Sequence, residues 1–520
     1  MSAVTRVAGL VSGAVEAQLA HRTALIIIGL MLVRLVAAAY TPLTFDEAYY
    51  WRIWSKHLAG GFYDHPPAVT LVVHVGTLIA GDTELGVRLF SILLALPMSW
   101  AVYRAAEMLF GSPIVASTAT ILLNATMMVS VETMIITPDA PLLAASGFVL
   151  FFLAKVFESG RGAWWLGVGA AVGAALLSKY NALFFGPIML IWLIAVPELR
   201  RWLMSPWPYL GGLVALAMFA PIVVWNADHQ WVSFIKQFGR VLPHGFRLQY
   251  LVEFIPGQLL LATPAVFLLG VSGLYALHKG LAGTRATAIL ISATVWTMVL
   301  YFGVHSLHAE VHPDYLSMTY PAFAVAAAVA GHLVIWPRRW QHLVYLSLRW
   351  AVPGSIAIFL LLILQTNVGQ LTGRGDPLVR ITAVGFRNVA DQIALIRDRL
   401  GASCVLVGDF GTTAWLMFYL PKGSCIAQRN ERIRWVNMPE PDSALLRGKL
   451  LFVSVNYPAW RYLGYHTKQV EPVAQLERKR GSTVIESYQL MLLEPQAGDV
   501  FDRTPPPELA PPRLAQPSTD

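Results

Sequence analysis

The stretch TPLTFDEAYYWRIWSKHLAGGFYDHPP, Thr41 to Pro67, follows an apolar run of seventeen residues, Thr23 to Ala39. It contains two adjacent carboxylates, Asp46 and Glu47, followed by three aromatic residues. Anchoring a chain in a bilayer requires apolar residues and interfacial aromatic side chains, but no carboxylate pair. We therefore interpret this stretch as a catalytic loop beside a membrane span.

The composition of the chain is that of a membrane protein. Of its 520 residues, 56% are hydrophobic and 13% are charged, and the mean hydropathy is +0.56. Soluble domains have about one quarter charged residues. The net charge of +8 is first explained by the basic residues that membrane proteins place in their cytoplasmic loops. We therefore expect no nucleic acid among its partners.

The apolar pattern predicts eleven spans, since a helix of about 17–25 apolar residues crosses a bilayer. They lie roughly at 23–40, 88–107, 113–131, 138–157, 163–178, 181–196, 207–225, 256–277, 287–305, 314–335 and 344–366. A missed or split helix would make the number twelve or thirteen. The run Ala68–Ala80 is too short to span and is predicted to be a re-entrant or interfacial helix.

The charges of the connections set the predicted orientation. Short connections with basic residues, such as Arg200 and Arg201, alternate with connections that hold carboxylates and histidines. The positive-inside rule places the basic connections and the N-terminus in the cytoplasm. The alternative for the first run is a cleaved signal ending at Ala37–Ala39. An uncleaved span is favoured because Arg34 interrupts the apolar run.

Three regions follow from this pattern. Residues 1–368 are predicted to form a transmembrane domain with a large first outer loop, 41–87. Residues 369–497 alternate short apolar strands with amphipathic helical patterns, which predicts a small soluble α/β domain outside the cytoplasm. It contains Cys404 and Cys425, whose spacing leaves a disulfide open. Residues 498–520 are rich in proline and predicted to be disordered.

Three carboxylates are candidate catalytic residues. Asp46, if partly desolvated, could take a proton from a hydroxyl nucleophile, with Glu47 beside it. The structural alternative is that Asp46 caps a helix, and the two roles are compatible. Asp139, in the sequence TPDAP, lies at the outer mouth of a span, where an acid also favours a helix start.

Several basic residues are predicted on the outer face, against the usual topological bias. They are Lys179 in a tight turn and Lys236, Arg240 and Arg247 in the connection 226–254. Arginine and lysine bind phosphate through charge-assisted hydrogen bonds, so an anionic lipid headgroup would explain them. A solvated loop face is the alternative. Arg34, inside the first span, is costly unless it pairs or reaches the headgroups.

A histidine-rich connection precedes the tenth predicted span and contains His305, His308, Glu310, His312 and Asp314. Such a cluster could bind a divalent metal, although its spacing matches no zinc motif, and substrate contacts are favoured. The sequence contains no phosphate-binding glycine loop, H-E-x-x-H, G-x-S-x-G or Rossmann fingerprint. Pumps driven by ATP, zinc proteases and enzymes with a soluble nucleotide-sugar domain are therefore disfavoured.

Together these residues resemble the GT-C glycosyltransferases of the protein O-mannosyltransferase type. The bacterial branch of this family includes the lipid A aminoarabinose transferase and the rhizobial lipopolysaccharide galacturonosyl transferases. The motifs that carry the resemblance are Arg34, DEAYYW at 46–51, YDHPP at 63–67, GVRLFS at 86–91, TPDAPL at 137–142 and SKYNALFFGP at 178–187.

The resemblance implies a polyprenyl-phosphate sugar donor, an active site on the periplasmic or luminal face and a key carboxylate at Asp46. Asp139 corresponds to a second acidic position in the family's motifs, and His312 matches a family position less clearly. The expected acceptor is a cell-envelope glycolipid such as lipid A or lipopolysaccharide core, in a bacterial inner membrane. No cofactor is certain and a divalent metal is possible.

The predicted substrate-binding residues combine motif positions with outer-face cations. They are Arg34, Tyr49, Tyr63, His65, Lys179, Tyr180, Lys236, Arg240, Arg247 and His312. A lipid-linked sugar phosphate has a good leaving group, so the chemistry needs cations near the phosphate and one base for the hydroxyl. The alternatives are a protein O-glycosyltransferase and a transporter or flippase of lipid-linked sugars. A transporter would place its polar residues near mid-membrane.

The predicted orientation can be tested by cysteine labelling in a variant whose two native cysteines are replaced by serine. A cysteine at Gly375 should react with a membrane-impermeant reagent added from the periplasm. A cysteine at Arg201 should react only after the cytoplasm is opened, because its connection is basic. The opposite pattern at both positions would reverse the orientation.

Overall fold

The computed structural model describes residues 3–239, 245–369, 376–455, 467–496 and 500–503. The chain forms two compact units. The first unit comprises Met1–Ala38, Arg88–Val223 and Val241–Leu360. The second unit comprises Ala39–Val87, Val224–Arg240 and Leu361–Asp520. The first outer loop and part of the connection 226–254 therefore group with the C-terminal residues. The predicted disordered tail lies outside the described residues except for 500–503.

The first unit is helical. The helices that lie wholly or mainly in it are Ala3–Tyr40, Glu84–Leu93, Ala95–Phe110, Pro113–Asn124, Met127–Met134, Asp139–Ser159, Trp164–Leu176, Phe185–Ala195, Pro206–Asp228, Leu248–Ala262, Pro264–His278, Arg285–His305, Tyr320–His332 and Arg338–Val368. Short 3₁₀-helices lie at Tyr180–Phe184, Pro197–Met204 and Pro313–Thr319.

Six of the described helices are long and apolar enough to cross a membrane, and two bent pairs raise the number to eight. The remaining three of the eleven predicted spans correspond to shorter helices, namely Trp164–Leu176, Tyr180–Ala195 and Tyr320–His332. The helix Ala68–Ala80 has 13 residues, as predicted for a segment too short to span. The predicted polytopic helical membrane fold is confirmed.

Two predicted spans are bent pairs of helices, and the sharper bend lies in the second of them. The segment 256–277 is divided between Leu248–Ala262 and Pro264–His278, which meet at an angle of 101°. Thr263, between them, has a φ of +66°, a value rare for a β-branched residue. Pro264 then begins the second helix, where its missing N–H is tolerated. Apolar periodicity alone carries no signal for such a break.

The helices of the first unit approach closely where glycines face neighbouring backbone. A Cβ on Gly169 would lie 2.0 Å from the carbonyl oxygen of Gly211, and one on Gly211 would lie 2.3 Å from that of Trp165. Lipid supplies little hydrophobic force between helices, so membrane helices depend on such close packing. The pair Trp164–Leu176 and Pro206–Asp228 is therefore held at backbone contact.

The second unit contains a five-stranded mixed sheet. Its strands are β1 (Cys404–Val407), β2 (Ile426–Gln428), β3 (Leu450–Val455), β4 (Thr467–Arg480) and β5 (Thr483–Pro495), in the spatial order β2-β1-β3-β5-β4. Strand β1 pairs in parallel with β2 and β3, whereas β5 pairs antiparallel with β3 and β4. The helices of this unit are Phe45–Tyr49, Tyr50–Ser55, Ala68–Ala80, Val232–Gly239, Pro377–Ile381, Phe386–Leu400, Phe410–Tyr419, Arg432–Trp435 and Ser443–Arg447.

The predicted C-terminal α/β domain is confirmed by this sheet and its helices. The disulfide that the spacing left open is present between Cys404 and Cys425. It joins the first residue of β1 to the residue before β2. The loop that connects the helix Phe410–Tyr419 to β2 is thereby tied to the sheet.

We expect Gly169→Ala to lower the stability of the purified protein, because its Cβ would overlap the backbone of Gly211. Overpacking of this kind costs about 1–3 kcal/mol or more. The matched control is Gly212→Ala, since a Cβ at Gly212 meets nothing within 4 Å. The unfolding midpoint in detergent should fall for Gly169→Ala and stay level or rise slightly for Gly212→Ala. Equal midpoints for the two variants would contradict the close packing.

Candidate functional site

The segment after the first long helix begins a short helix, Phe45–Tyr49, whose cap is Thr44. The Thr44 hydroxyl accepts a hydrogen bond from the Glu47 amide at 3.2 Å, and the Glu47 carboxylate accepts one from the Thr44 amide at 2.8 Å. This reciprocal pair is a capping box. The cap is therefore Thr44 and not Asp46, the structural alternative considered above, and the fully buried Glu47 is engaged in helix capping.

The capping box leaves Asp46 in the first turn of the helix with its carboxylate uncommitted. Within the described part of the chain, this carboxylate accepts no hydrogen bond. Burial and the neighbouring charge of Asp64 raise the pKa of Asp46 to about 7, and the charges of Arg434 and Lys236 oppose the shift. Asp46 therefore exchanges a proton near neutral pH.

Asp64, by contrast, is surrounded by donors. It forms ion pairs with Lys236 and, at 3.0 Å, with Arg434, and the Tyr49 hydroxyl donates to it at 2.9 Å. Burial alone would raise the pKa of Asp64, but the two cations outweigh it and hold that pKa well below its usual range. Asp64 therefore stays ionised. We call Asp46, Asp64, Lys236 and Arg434 the Asp46 cluster.

Aromatic rings surround the Asp46 cluster. The Lys236 ammonium lies 4.0 Å from the ring centroid of the buried Tyr63, and the Arg434 guanidinium lies 5.5 Å from it. Tyr49 packs edge-on against Phe410 and Trp435, at 5.8 and 5.6 Å between centroids. Rings in these positions displace water, which strengthens the electrostatic effects within the cluster. Tyr49 and Tyr63, both predicted as site residues, line it.

The first unit holds a second group of charges. The Lys179 ammonium contacts both carboxylate oxygens of Asp139, at 3.0 and 2.8 Å, and one oxygen of Asp314 at 2.9 Å. Ser317 donates a hydrogen bond to Asp139 at 2.5 Å. Asp139 and Lys179 are both buried. Lys179, which was predicted to bind a phosphate, thus has its charge compensated by two carboxylates. Glu132 lies close enough to interact with Asp139 electrostatically.

Arg34 is almost fully buried and is paired inside the protein. Its guanidinium donates to the Asn124 backbone carbonyl at 2.5 Å, to the Asn124 side chain at 3.3 Å and to Ser130 at 3.2 Å. Asn124 ends the helix Pro113–Asn124, just before the 53° bend to Met127–Met134. Arg34 therefore satisfies backbone freed by the bend, as an intramembrane arginine must.

The remaining predicted site residues differ in their surroundings. Arg247 is exposed, and its side chain donates only to the Tyr250 hydroxyl, at 3.3 Å, among the described residues. His312 is exposed, His65 is partly exposed and Tyr180 is buried. Arg240 lies outside the described residues. Nowhere in the described ranges do three or more His, Cys, Asp or Glu side chains lie together in a group that could hold a metal ion.

Four residues of these two clusters were not predicted as site residues, namely Asp64, Arg434, Glu132 and Ser317. Asp64 belongs to the YDHPP motif, so the motif itself was a signal. Glu132 is an acid within an apolar run, which is a signal of function in a membrane segment. Arg434 is separated by 370 residues from its partner Asp64 and had no local signal.

The chain has recognisable relatives. Residues 64–225 match a family model described as dolichyl-phosphate-mannose-protein mannosyltransferase. The chain is 24% identical to the lipid A galacturonosyltransferase RgtD of Rhizobium johnstonii over 408 residues, which are 77% of this chain and 83% of the relative.

Two crystal structures of ArnT from Cupriavidus metallidurans have a similar fold. The apo structure has a TM-score of 0.60 at 18% identity and covers 91% of this chain and 98% of its own. The structure bound to undecaprenyl phosphate has a TM-score of 0.61 at 17% identity and covers 90% and 97%. The resemblance inferred from the sequence is thereby confirmed: the chain is a multi-pass membrane protein with the ArnT-like GT-C fold, and it is similar in sequence to a glycosyltransferase.

Proposed function

We propose that the protein transfers a sugar from a polyprenyl-phosphate carrier to a hydroxyl group of a cell-envelope glycolipid, with lipid A or lipopolysaccharide core as the acceptor. The observation that carries this proposal is the Asp46 carboxylate, which accepts no hydrogen bond from the described residues and has a pKa of about 7. A general base works best when its pKa lies near the operating pH.

In the proposed reaction the acceptor hydroxyl oxygen attacks the anomeric carbon of the sugar. The bond between that carbon and the phosphate oxygen of the carrier breaks, and the lipid phosphate leaves with the bonding electrons. Asp46 takes the hydroxyl proton. The leaving phosphate is already anionic and needs no strong acid, unlike the alkoxide released by a glycosidase. Cations beside it stabilise the developing charge.

Lys236 and Arg434 are the cations we propose for this role, since both belong to the Asp46 cluster. Their present partner is Asp64, so an incoming phosphate would share them with this carboxylate. The guanidinium of Arg434 suits the planar, paired oxygens of a phosphate, whereas Lys236 acts as a point charge. Arg247, exposed and without an ion pair in the described ranges, is a further candidate for the carrier phosphate.

The buried group Asp139–Lys179–Asp314 has a different proposed role. A lysine held by two carboxylates at 2.8–3.0 Å is a poor free ligand for a phosphate. We propose that it fixes the helix start at Asp139 and the segment Pro313–Thr319, and that Asp314 presents its second oxygen to polar groups of the substrate. This replaces the phosphate contact first expected for Lys179.

Similarity supports the proposed donor and acceptor, and the positive-inside rule supports the proposed orientation. The name of one relative specifies lipid A as acceptor, and one solved neighbour binds undecaprenyl phosphate. With the N-terminus in the cytoplasm, the first outer loop and the sheet domain lie on the periplasmic side of a bacterial inner membrane. The matched family model names a protein mannosyltransferase, which supports a protein hydroxyl as the second candidate acceptor.

The function is tested by mass spectrometry of envelope lipids from cells with and without the protein. We expect Asp46→Asn to lower transfer by about 10²–10⁴-fold, the usual contribution of a general base. The variant should insert at normal levels, because the capping box uses Thr44 and Glu47.

Glu47→Gln provides the comparison, because glutamine also closes a capping box. It should lower transfer by less than about tenfold, a loss below the usual general-base range. Near-normal transfer by Asp46→Asn to a hydroxyl acceptor, at equal protein level, would remove Asp46 from the proposed role and turn attention to Asp139.

The acid limb of the pH–rate profile should report the pKa of Asp46, with transfer rising with pH through about 7. Asp64→Asn removes a negative charge that raises this pKa and leaves Lys236 and Arg434 without their shared partner. Both changes favour the ionised form of Asp46, so the midpoint should move to lower pH. Asp391→Asn, an exposed change in the same unit, should leave the midpoint unmoved. The same midpoint in Asp64→Asn as in the wild type would argue against Asp46 as the titrating group.

A further inference from the structure

The second unit contains a cavity of about 140 Å³ that none of the Asp46 cluster residues lines. Its wall on one side comes from the first outer loop, and its wall on the other side comes from the turn that precedes β2. We call it the basic pocket. The charged residues that line it are Arg52, Lys56, Asp82 and Lys422, and Trp51 lines it beside them.

Two cations of the basic pocket share one carboxylate. The Lys56 ammonium lies 2.6 Å from one oxygen of Asp82, and the Lys422 ammonium lies 3.2 Å from the other. The Trp51 indole also donates to Asp82, at 2.8 Å. These partners lower the pKa of Asp82 to about 2 against the opposing effect of its burial. Asp82 is therefore ionised and its acceptor capacity is largely used.

Arg52 is the third cation and is not paired. Its side chain makes no hydrogen bond within the described part of the chain, and its buried Nε has no partner. Burial lowers the pKa of the half-buried Arg52, and the charge of Asp82 opposes this shift. A buried guanidinium N–H without an acceptor costs free energy. An acceptor from a ligand would remove that cost.

The backbone around the basic pocket supports a binding role. Trp51 and Arg52 belong to the π-helix Tyr50–Ser55, and Lys56 follows it directly. A π-helix is rare in proteins and frequently lies at a functional site. On the opposite wall, Lys422 lies in the turn that the Cys404–Cys425 disulfide ties to the sheet. This second wall is thus covalently constrained.

We propose that the basic pocket binds a phosphate group, with Arg52, Lys56 and Lys422 as its ligands. Three cations and one committed carboxylate leave two positive charges uncompensated among these residues. The arginine fork and the two ammonium groups are donors without acceptor atoms, which suits an anion rich in acceptor oxygens. The phosphate can belong to a lipid headgroup or be free in solution. The assignment does not depend on the transfer reaction proposed above.

The test uses the full-length protein in detergent and isothermal titration with two probes. Dihexanoyl phosphatidic acid carries its phosphate on a lipid, and inorganic phosphate is the free anion. Dihexanoyl phosphatidylcholine, without net charge, controls for binding of the acyl chains. Tighter binding of the phosphatidic acid than of inorganic phosphate assigns the pocket to a headgroup, whereas equal binding assigns it to the free anion.

Four variants connect the binding to the pocket. Arg52→Gln should weaken phosphate binding by about tenfold, the effect of one charge-assisted hydrogen bond. Lys422→Gln should weaken it by about threefold, because Lys422 is 87% exposed and its charge is screened. Asp82→Asn should strengthen it by removing the competing carboxylate. Lys449→Gln, an exposed lysine outside the pocket, should change nothing.

Misfolding would weaken binding in every variant. The stronger binding expected for Asp82→Asn therefore distinguishes a change in the site from a loss of the fold. Weaker binding in Arg52→Gln and Lys422→Gln together with stronger binding in Asp82→Asn establishes the site. Wild-type affinity in all three variants, or a loss of affinity in all three, would overturn it.

Discussion

A buried ammonium group must have carboxylates around it, and this constraint shapes both polar clusters of the protein. Removing an ammonium from water costs several kcal/mol unless close partners replace the hydration. Lys179 meets the requirement with Asp139 and Asp314, and Lys236 meets it with Asp64. The chain segments that carry these residues are thereby held in place. A phosphate that binds near Lys236 must therefore compete with an existing partner.

Asp46 and Asp64 belong to one unit and have opposite protonation behaviour. Asp64 collects two cations and a tyrosine hydroxyl, which favour its ionised form. Asp46 receives no hydrogen bond from the described residues, and its pKa is raised by burial and by the charge of Asp64. Active sites often contain two neighbouring carboxylates whose environments move their pKa values apart. One of them then stays ionised while the other exchanges a proton. The fixed charge here is Asp64 and the mobile proton is that of Asp46.

The sequence was informative where the signal is local. The apolar runs and the short apolar strands of the C-terminal domain are short-range patterns, and the motifs around Asp46 and Asp139 fall within a few residues. The pairing of Lys179 with Asp314 spans 135 residues, and no local pattern encodes it. Lys179 and Lys236 were predicted as available cations because a sequence shows charges without their partners. Strand β2 has only three residues, too few for periodicity to detect.

The position of Lys236 and Arg434 near Asp46 also links the charge of a bound donor to the basicity of Asp46. Lys236 and Arg434 hold down the proton affinity of Asp46 through their positive charge. If a carrier phosphate binds beside these cations, its negative charge offsets theirs, and the pKa of Asp46 rises above its value in the free enzyme. A higher pKa makes the ionised carboxylate a stronger base towards the acceptor hydroxyl. The same charge that anchors the donor would thus increase the basicity of the residue that activates the acceptor.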